Sequence, residues 1–591
     1  MTDLYQNLLT DLESASTDEE RARITLQFNL NTQSERVREA VQAAAILHWF
    51  DQSMLNFVLS RPLSDEEFRT VISLPYVEKF PERGWNVHES ACKLIRDDLL
   101  HSNWGLYRKL SRLAATWCRK YHPSDPIWQI EAVYHSLFAG ESMAEKHFIH
   151  MGLMLLNSYR QAALESLLRP ILIAVEAGKL SAEISAWAWF LKARLDIGFG
   201  RYQEAKAALT KTLEIEKENL KLLLLATLSL AEVNLFFDDP RESQRILFSI
   251  MPKIVSSKDR LAEANAIYFL ARSNESLYDF PDSRRQCIEA RAIFRSLGNQ
   301  VGEANCFFEL GIIATRSQDL QEALIQLESA NELYKKTGSS QGIANCHMAF
   351  GVAYTYLSNF ELARQQNESS LKISLENRSS SGEALTIMNM GITATEEGNF
   401  DEAISFLEDA EYKLEKLRLP TEQSKCLNAK GNLYLYNARY EEAIASYNSA
   451  INIAPQGIYY INLSEPYMAL GDFQNAERCL LNSYEAFPDI HYLYFNWGRL
   501  NLWQGKAKEA LTYFEKALSD RPHWGEFYLW NAVALAITGE HKWTLEFQRG
   551  LERTYLNRQK KEVFESLAKL KHTYPDAPIE QVEAFFCIAT G

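Results

Sequence analysis

The sequence predicts an all-α protein: a right-handed superhelix of helix–turn–helix repeats, preceded by a smaller helical domain. Three observations carry this. A phrase of polar turn, bulky residue, two variable positions and a small residue recurs along the chain. Its small residues are Ala205, Ser243, Ser283, Ala323, Ala363, Ala403, Ala443, Ala476, Ala510 and Thr544, separated by 38, then five times by 40, then by 33, 34 and 34 residues. Between the phrases, small and bulky residues alternate at helical spacing. Finally, 591 residues are too many for one ordinary core. With 47% hydrophobic and 24% charged residues, 25 Gly and 16 Pro, the composition is that of a folded chain.

Residues 1–122 form the first predicted domain. From "SERVREAVQAAAILHWFDQSMLNFVL" to "WNVHESACKLIRDDL" the pattern reads as three helices, a short hairpin around Pro81 to Gly84, and a helix starting near His88. This segment resembles the winged-helix region of the STAND class of signal-transducing ATPases, which often precedes a repeat sensor. Val87, His88 and Glu89 stand where that class carries Met-His-Asp. The resemblance implies a nucleotide-sensor role for His88, in contact with the β-phosphate of ADP. A phosphate-binding loop needs a glycine-rich turn ending in Lys and Ser or Thr. "AGKLSAE" and "QGKAKEA" lack the glycine spacing and the hydroxyl, so these residues hold no ATPase. The ATPase then belongs to a longer chain, is encoded separately, or the segment serves as a plain connector with a structural histidine.

Residues 123–185 read as degenerate helical repeats; Ala162 precedes Ala205 by 43 residues. Residues 186–575 form the superhelix. In each unit one helix carries a central small residue, as in "ELGIIA", "AFGVAY", "NMGITA" and "AKGNLY". A second places Ala323, Leu327 and Ala330, or Ala443, Tyr447 and Ala450, on one face. Pro455, Pro488 and Pro522 end second helices. Residues 576–591 would cap the last apolar face.

This grammar resembles the tetratricopeptide repeat: Gly498, Ala510, Phe514, Ala517 and Pro522 occupy that family's positions within one unit. The units of 40 residues resemble its long-helix variety, found in signalling scaffolds and bacterial regulators. The resemblance implies a non-enzymatic protein that holds a peptide or protein in a concave groove lined by first helices. Placed in that register, Asn265, Asn305 and Asn345 repeat at one position, with Tyr268, Phe308 and Met348 beside them and Arg272 and Arg316 further on. Asn389, Asn428 and Asn432 continue the wall. An asparagine amide both donates and accepts, so such a row suits a peptide backbone, or else it pins neighbouring repeats together. Tyr492, Phe495, Asn496, Arg499 and Trp503, with Trp530, offer a second, aromatic surface or a core stripe.

Other functions are excluded or disfavoured. A net charge of −15 makes nucleic acid a poor partner. Eight scattered cysteines without a CxxC pair read as reduced thiols in a cytoplasmic protein. The apolar run "LLLLATLSLA" is too short to cross a membrane and reads as a core helix. His147 and His150 lack the HExxH spacing, and no catalytic or dinucleotide motif occurs, so neither enzyme activity, metal nor cofactor is expected. The partner is a protein or peptide, with a STAND-type ATPase or effector as the second candidate.

Overall fold

The computed structural model describes residues 17–590, save 158, 159, 237, 238 and 487–491, together with residues 12, 14 and 15. Pro488 and most of the first sixteen residues therefore lie outside the described residues, as does Gly591. The fold is an all-α solenoid. It divides into two compact units, Met1–Leu223 and Leu224–Gly591.

In the first unit, Ser34 and Asp51 cap the helices Glu35–Ile46 and Gln52–Val58, and Ser64 forms a reciprocal capping box with Glu67 on Asp65–Ile72. An antiparallel hairpin follows, Val77–Phe80 against Gly84–Val87, with Val77 opposite Val87. Phe50, between the first two of these helices, forms an isolated bridge to Trp85. That bridge explains Gly84: its φ is +95°, and a Cβ there would sit 2.4 Å from Phe50 O. The helices Glu89–Ser102 and Trp104–Tyr121 come next, then Pro126–Ala139, Ala144–Asn157, Gln161–Glu176, Ala182–Gly198 and Tyr202–Ile215.

The second unit is built from helix pairs with a turn of fixed design. Lys258, Tyr278, Gly298, Gln318, Gly338, Ser358, Arg378, Gly398, Arg418 and Ala438 all have left-handed backbone, with φ from 53° to 91°. They recur every twenty residues, so each helix of a 40-residue repeat ends in the same way. At several of these turns the next residue caps the following helix, although Asp319, Asn399, Leu419 and Arg439 do not. Asp259 accepts from the amides of Leu261 and Ala262, Asn299 from Gly302 and Asn359 from Leu362. From Tyr440 to Ile537 the helices shorten from 17–18 residues to 12–14, about one turn each, which reduces the period to about 34.

Pairing rests on close approach. A Cβ on Gly431 would meet the ring of Tyr447 at 2.4 Å, so the first helix lies directly on its partner's tyrosine. Ala323, Leu327 and Ala330 are fully buried, as are Ala443, Tyr447 and Ala450. Seven of the eight cysteines are buried free thiols, and Cys587 is exposed. The helix Ile579–Thr590 packs through Ile579, Val582 and Phe586 against the last repeats.

Candidate binding cavity in the second unit

The first helices of the later repeats bound a cavity of about 460 Å³, and the start of the helix Asn557–Thr573 closes part of its wall. One wall carries four amides: Asn389, Asn428, Asn432 and Asn462. Asn462 Nδ2 donates to Asn428 Oδ1 at 2.9 Å, and Asn432 Oδ1 accepts from Tyr447 OH at 2.7 Å. Asn389 engages its backbone carbonyl, which accepts from Thr393 Oγ1. Donor and acceptor capacity therefore remains along this wall.

The lining also carries charge, with Glu396 on the helix of Asn389 and Tyr436 on that of Asn428 and Asn432. Arg558 Nε donates to Glu396 Oε2 at 2.9 Å, and its guanidinium lies 3.7 Å from the centre of the Tyr436 ring. Burial works against this charge, but Glu396 and the other partners outweigh it and hold Arg558 protonated. Behind it Arg499 pairs with Glu465 at 3.2 Å and with Glu562. Gln559 Nε2 donates to Glu526 Oε2 at 2.8 Å. Burial, with Glu562 beside it, pushes the Glu526 carboxyl up to about 8, and burial also raises Glu465. Ser358 Oγ donates to Tyr555 O at 2.9 Å, tying the approach of this segment to an earlier turn. At another edge of the cavity Arg521 Nη2 donates to Tyr278 O at 3.2 Å, and Arg316 pairs with Glu275 while lying 4.6 Å from the Tyr278 ring. The site can hold a polar backbone along its amides and charged groups at its margins. Among the described residues, no group of three or more His, Cys, Asp or Glu is arranged to hold a metal.

Family models of the tetratricopeptide repeat match residues 383–456 and 463–526. These repeats are tetratricopeptide repeats. The human protein O-mannosyl-transferase TMTC2 is 31% identical over 127 residues, 20% of this chain and 15% of that protein. The yeast mitochondrial import receptor subunit TOM70 is 30% identical over 94 residues, 16% of this chain and 14% of its own length. The chain thus spans about one-seventh of the curated relatives it matches. Among solved structures, a Rap protein complexed with Competence and Sporulation Factor aligns with 59% of this chain and 100% of its own, at 16% identity and a TM-score of 0.44.

The tetratricopeptide wall uses the residues singled out in the sequence unevenly. Asn389, Asn428, Asn432, Arg316 and Tyr492 line the cavity. Asn265, Asn305, Asn345, Tyr268, Arg272, Phe308 and Met348 are not among its lining residues. Asn305 instead accepts from Tyr334 OH at 2.6 Å, across the two helices of its own repeat, and Asn345 accepts from Gln341. Asn265 makes no side-chain hydrogen bond among the described residues. Arg272 lies 3.9 Å from Glu309, a carboxyl that burial and Glu275 push up to about 7.

The aromatic stripe is not an open surface. Phe495 and Asn496 are fully buried, and Phe495 stacks on Phe527 at 4.3 Å; Trp503 packs edge-on to Trp530. Arg499 is enclosed with its two glutamates. The helices after residue 524 cover this face, which the local pattern of 492–503 does not reveal. His88 is exposed, its Nδ1 2.9 Å from Ser90 Oγ, and it makes no side-chain cap to the helix it precedes.

Tyr356, Glu396 and Tyr436 had a signal in the sequence: each lies 40 or a multiple of 40 residues beyond Arg316. Met388 and Asn428 follow Met348 in the same way, and all five line the cavity. Arg558 and Gln559 carried none, because they reach the wall from a helix outside the repeat register.

Proposed function

We propose that this protein is a non-enzymatic, cytoplasmic binding protein that holds a peptide segment of a partner in the cavity of its second unit. The observation behind this reading is the set of amides Asn389, Asn428, Asn432 and Asn462 in one cavity lining together with the charged groups Glu396, Glu465 and Arg558. Backbone amides of an extended peptide exchange hydrogen bonds with such a row without regard to side chains. A volume of about 460 Å³ suits a segment of a few residues. The test compares partner retention from the native cell, read by mass spectrometry, for the wild type and two triple variants. Alanine at Asn389, Asn428 and Asn432 abolishes retention, whereas Tyr447→Phe, which removes the same buried hydrogen bond to Asn432 and sets the expected fall in melting temperature, leaves retention intact. Alanine at Asn265, Asn305 and Asn345 probes whether the groove extends to the earlier units. Full retention by both variants refutes the reading.

A second reading makes the chain the sensor half of a STAND-type switch that acts with a separate ATPase or effector. It is favoured by the order of elements around His88: a helix, a bridging residue, two helices, a hairpin and a helix. We propose that this module is winged-helix-like and docks the effector. An ATP-binding partner that co-purifies with the full chain, and is lost when residues 36–120 are replaced, supports this reading. Its absence leaves the peptide reading alone.

A further inference from the structure

A second cavity, of about 680 Å³, lies wholly within the first unit, between the helix Glu89–Ser102 and the helices Pro126–Ala139 and Gln161–Glu176. Its wall is mainly apolar, with Trp49, Phe80, Tyr134, Phe138 and Ile173. Volumes of this order take one small organic molecule.

Arg96 is the unusual group in that wall. Protein surrounds it, yet it keeps some accessible surface and lines the cavity, so the accessible part faces the hollow. Its Nε donates to Ala45 O at 2.5 Å, and Nη2 approaches Ile46 O at 3.5 Å. These are end carbonyls of the helix Glu35–Ile46, which carries only about half a negative charge at that terminus. A guanidinium has five N–H donors, and no carboxylate pairs with Arg96 among the described residues. The acids of the same wall are engaged elsewhere. Glu131 Oε2 is 2.6 Å from His48 Nδ1, and Glu89 pairs with Arg169. Glu131 acts on Arg96 through space but does not bond to it, so part of the desolvation cost of this buried cation remains for a directly bonded anion to relieve.

We propose that this cavity binds a small molecule with an aromatic or apolar body and one anionic group, a carboxylate or a phosphate, which accepts hydrogen bonds from the cavity-facing side of Arg96. The rings of Trp49, Phe80 and Tyr134 flank the body. The site belongs to the first unit and does not rest on the peptide reading; Val87 and Glu89, on either side of His88, are in its lining.

The test is calorimetric titration of the full chain with four probes: indole-3-acetate, phenyl phosphate, neutral indole and cationic tryptamine. At least one anion binds at a single site, about tenfold or more tighter than indole or tryptamine. The two anions separate carboxylate from phosphate. Arg96→Met abolishes the preference and Arg96→Lys keeps part of it. Arg96 also holds a helix end, so Ile173→Trp serves as a second variant; it fills the cavity from a residue that is 46% exposed and leaves Arg96 in place. Loss of anion binding in Ile173→Trp supports the site. Tryptamine binding as tightly as the anions, unchanged affinity in both Arg96→Met and Ile173→Trp, or no binding of any probe at millimolar concentration each overturns it.

Discussion

Replacing Arg558 with Met tests whether the helix Asn557–Thr573 is held on the repeat wall by charge. The variant keeps the stem but removes the partner of Glu396 and the cation over Tyr436. Breaking a buried ion pair by removing one member costs about 3–5 kcal/mol, and a desolvated cation–π contact adds about 1–2. The charge part has a ceiling, because a stranded carboxylate can take up a proton. At pH 7 that costs about 3.5 kcal/mol from an ordinary carboxyl near 4.3. The expected loss is therefore about 4–5 kcal/mol at pH 7. A stranded carboxylate has its pKa raised in the folded state, so the penalty is full at high pH and shrinks as pH falls toward the unfolded value. At pH 5 the charge part is about 1 kcal/mol, and the total about 2–3. Urea unfolding at both pH values measures the loss. Hydrogen exchange in 555–573 and in Ser380–Glu397 localises it, with protection falling by up to about a thousandfold at pH 7. A loss below about 1 kcal/mol, or one that does not change with pH, refutes the electrostatic account of this closure.

Three further outcomes are expected. Glu526→Gln relieves a buried carboxyl whose folded pKa, about 8, lies above its ordinary 4.5, so wild-type stability falls as pH rises through that window. The variant gains on the wild type up to about pH 8, by about 2–4 kcal/mol, in pH-resolved chemical denaturation. Gly431→Ala drives a Cβ into the buried Tyr447 ring and lowers stability by about 2 kcal/mol, read as a drop in melting temperature. Asn305→Ala withdraws the acceptor of the Tyr334 hydroxyl and costs about 1–2 kcal/mol, whereas Asn265→Ala costs close to nothing. In a double-mutant cycle with Tyr334→Phe the Asn305 loss is less than additive, and full additivity dismisses that hydrogen bond.

The repeat architecture was legible because it is local. A small residue every 40 positions, a polar turn and a second helix with Ala and a bulky partner are all written within one unit. Each unit packs mainly on its neighbours. The same locality placed Asn389, Asn428 and Asn432 on the concave positions. It also contains the forty-residue continuation from Arg316 to Tyr356, Glu396 and Tyr436. It could not distinguish Asn305 from Asn428, which occupy similar helices; only the neighbouring Tyr334 makes one of them a seam within its own repeat.

By itself, the sequence determined the period and the helix pairs, since these follow from spacings within a few turns of helix. Tertiary structure decided which stretch of the inner wall becomes a cavity. Arg558 meets Glu396 across 162 residues, and Arg521 meets Tyr278 across 243. No periodicity encodes contacts between helices so far apart, because they depend on how small rotations between successive repeats accumulate. The burial of Phe495 and Asn496 has the same origin. An aromatic stripe specifies that a face must be covered, and the fold supplies what covers it.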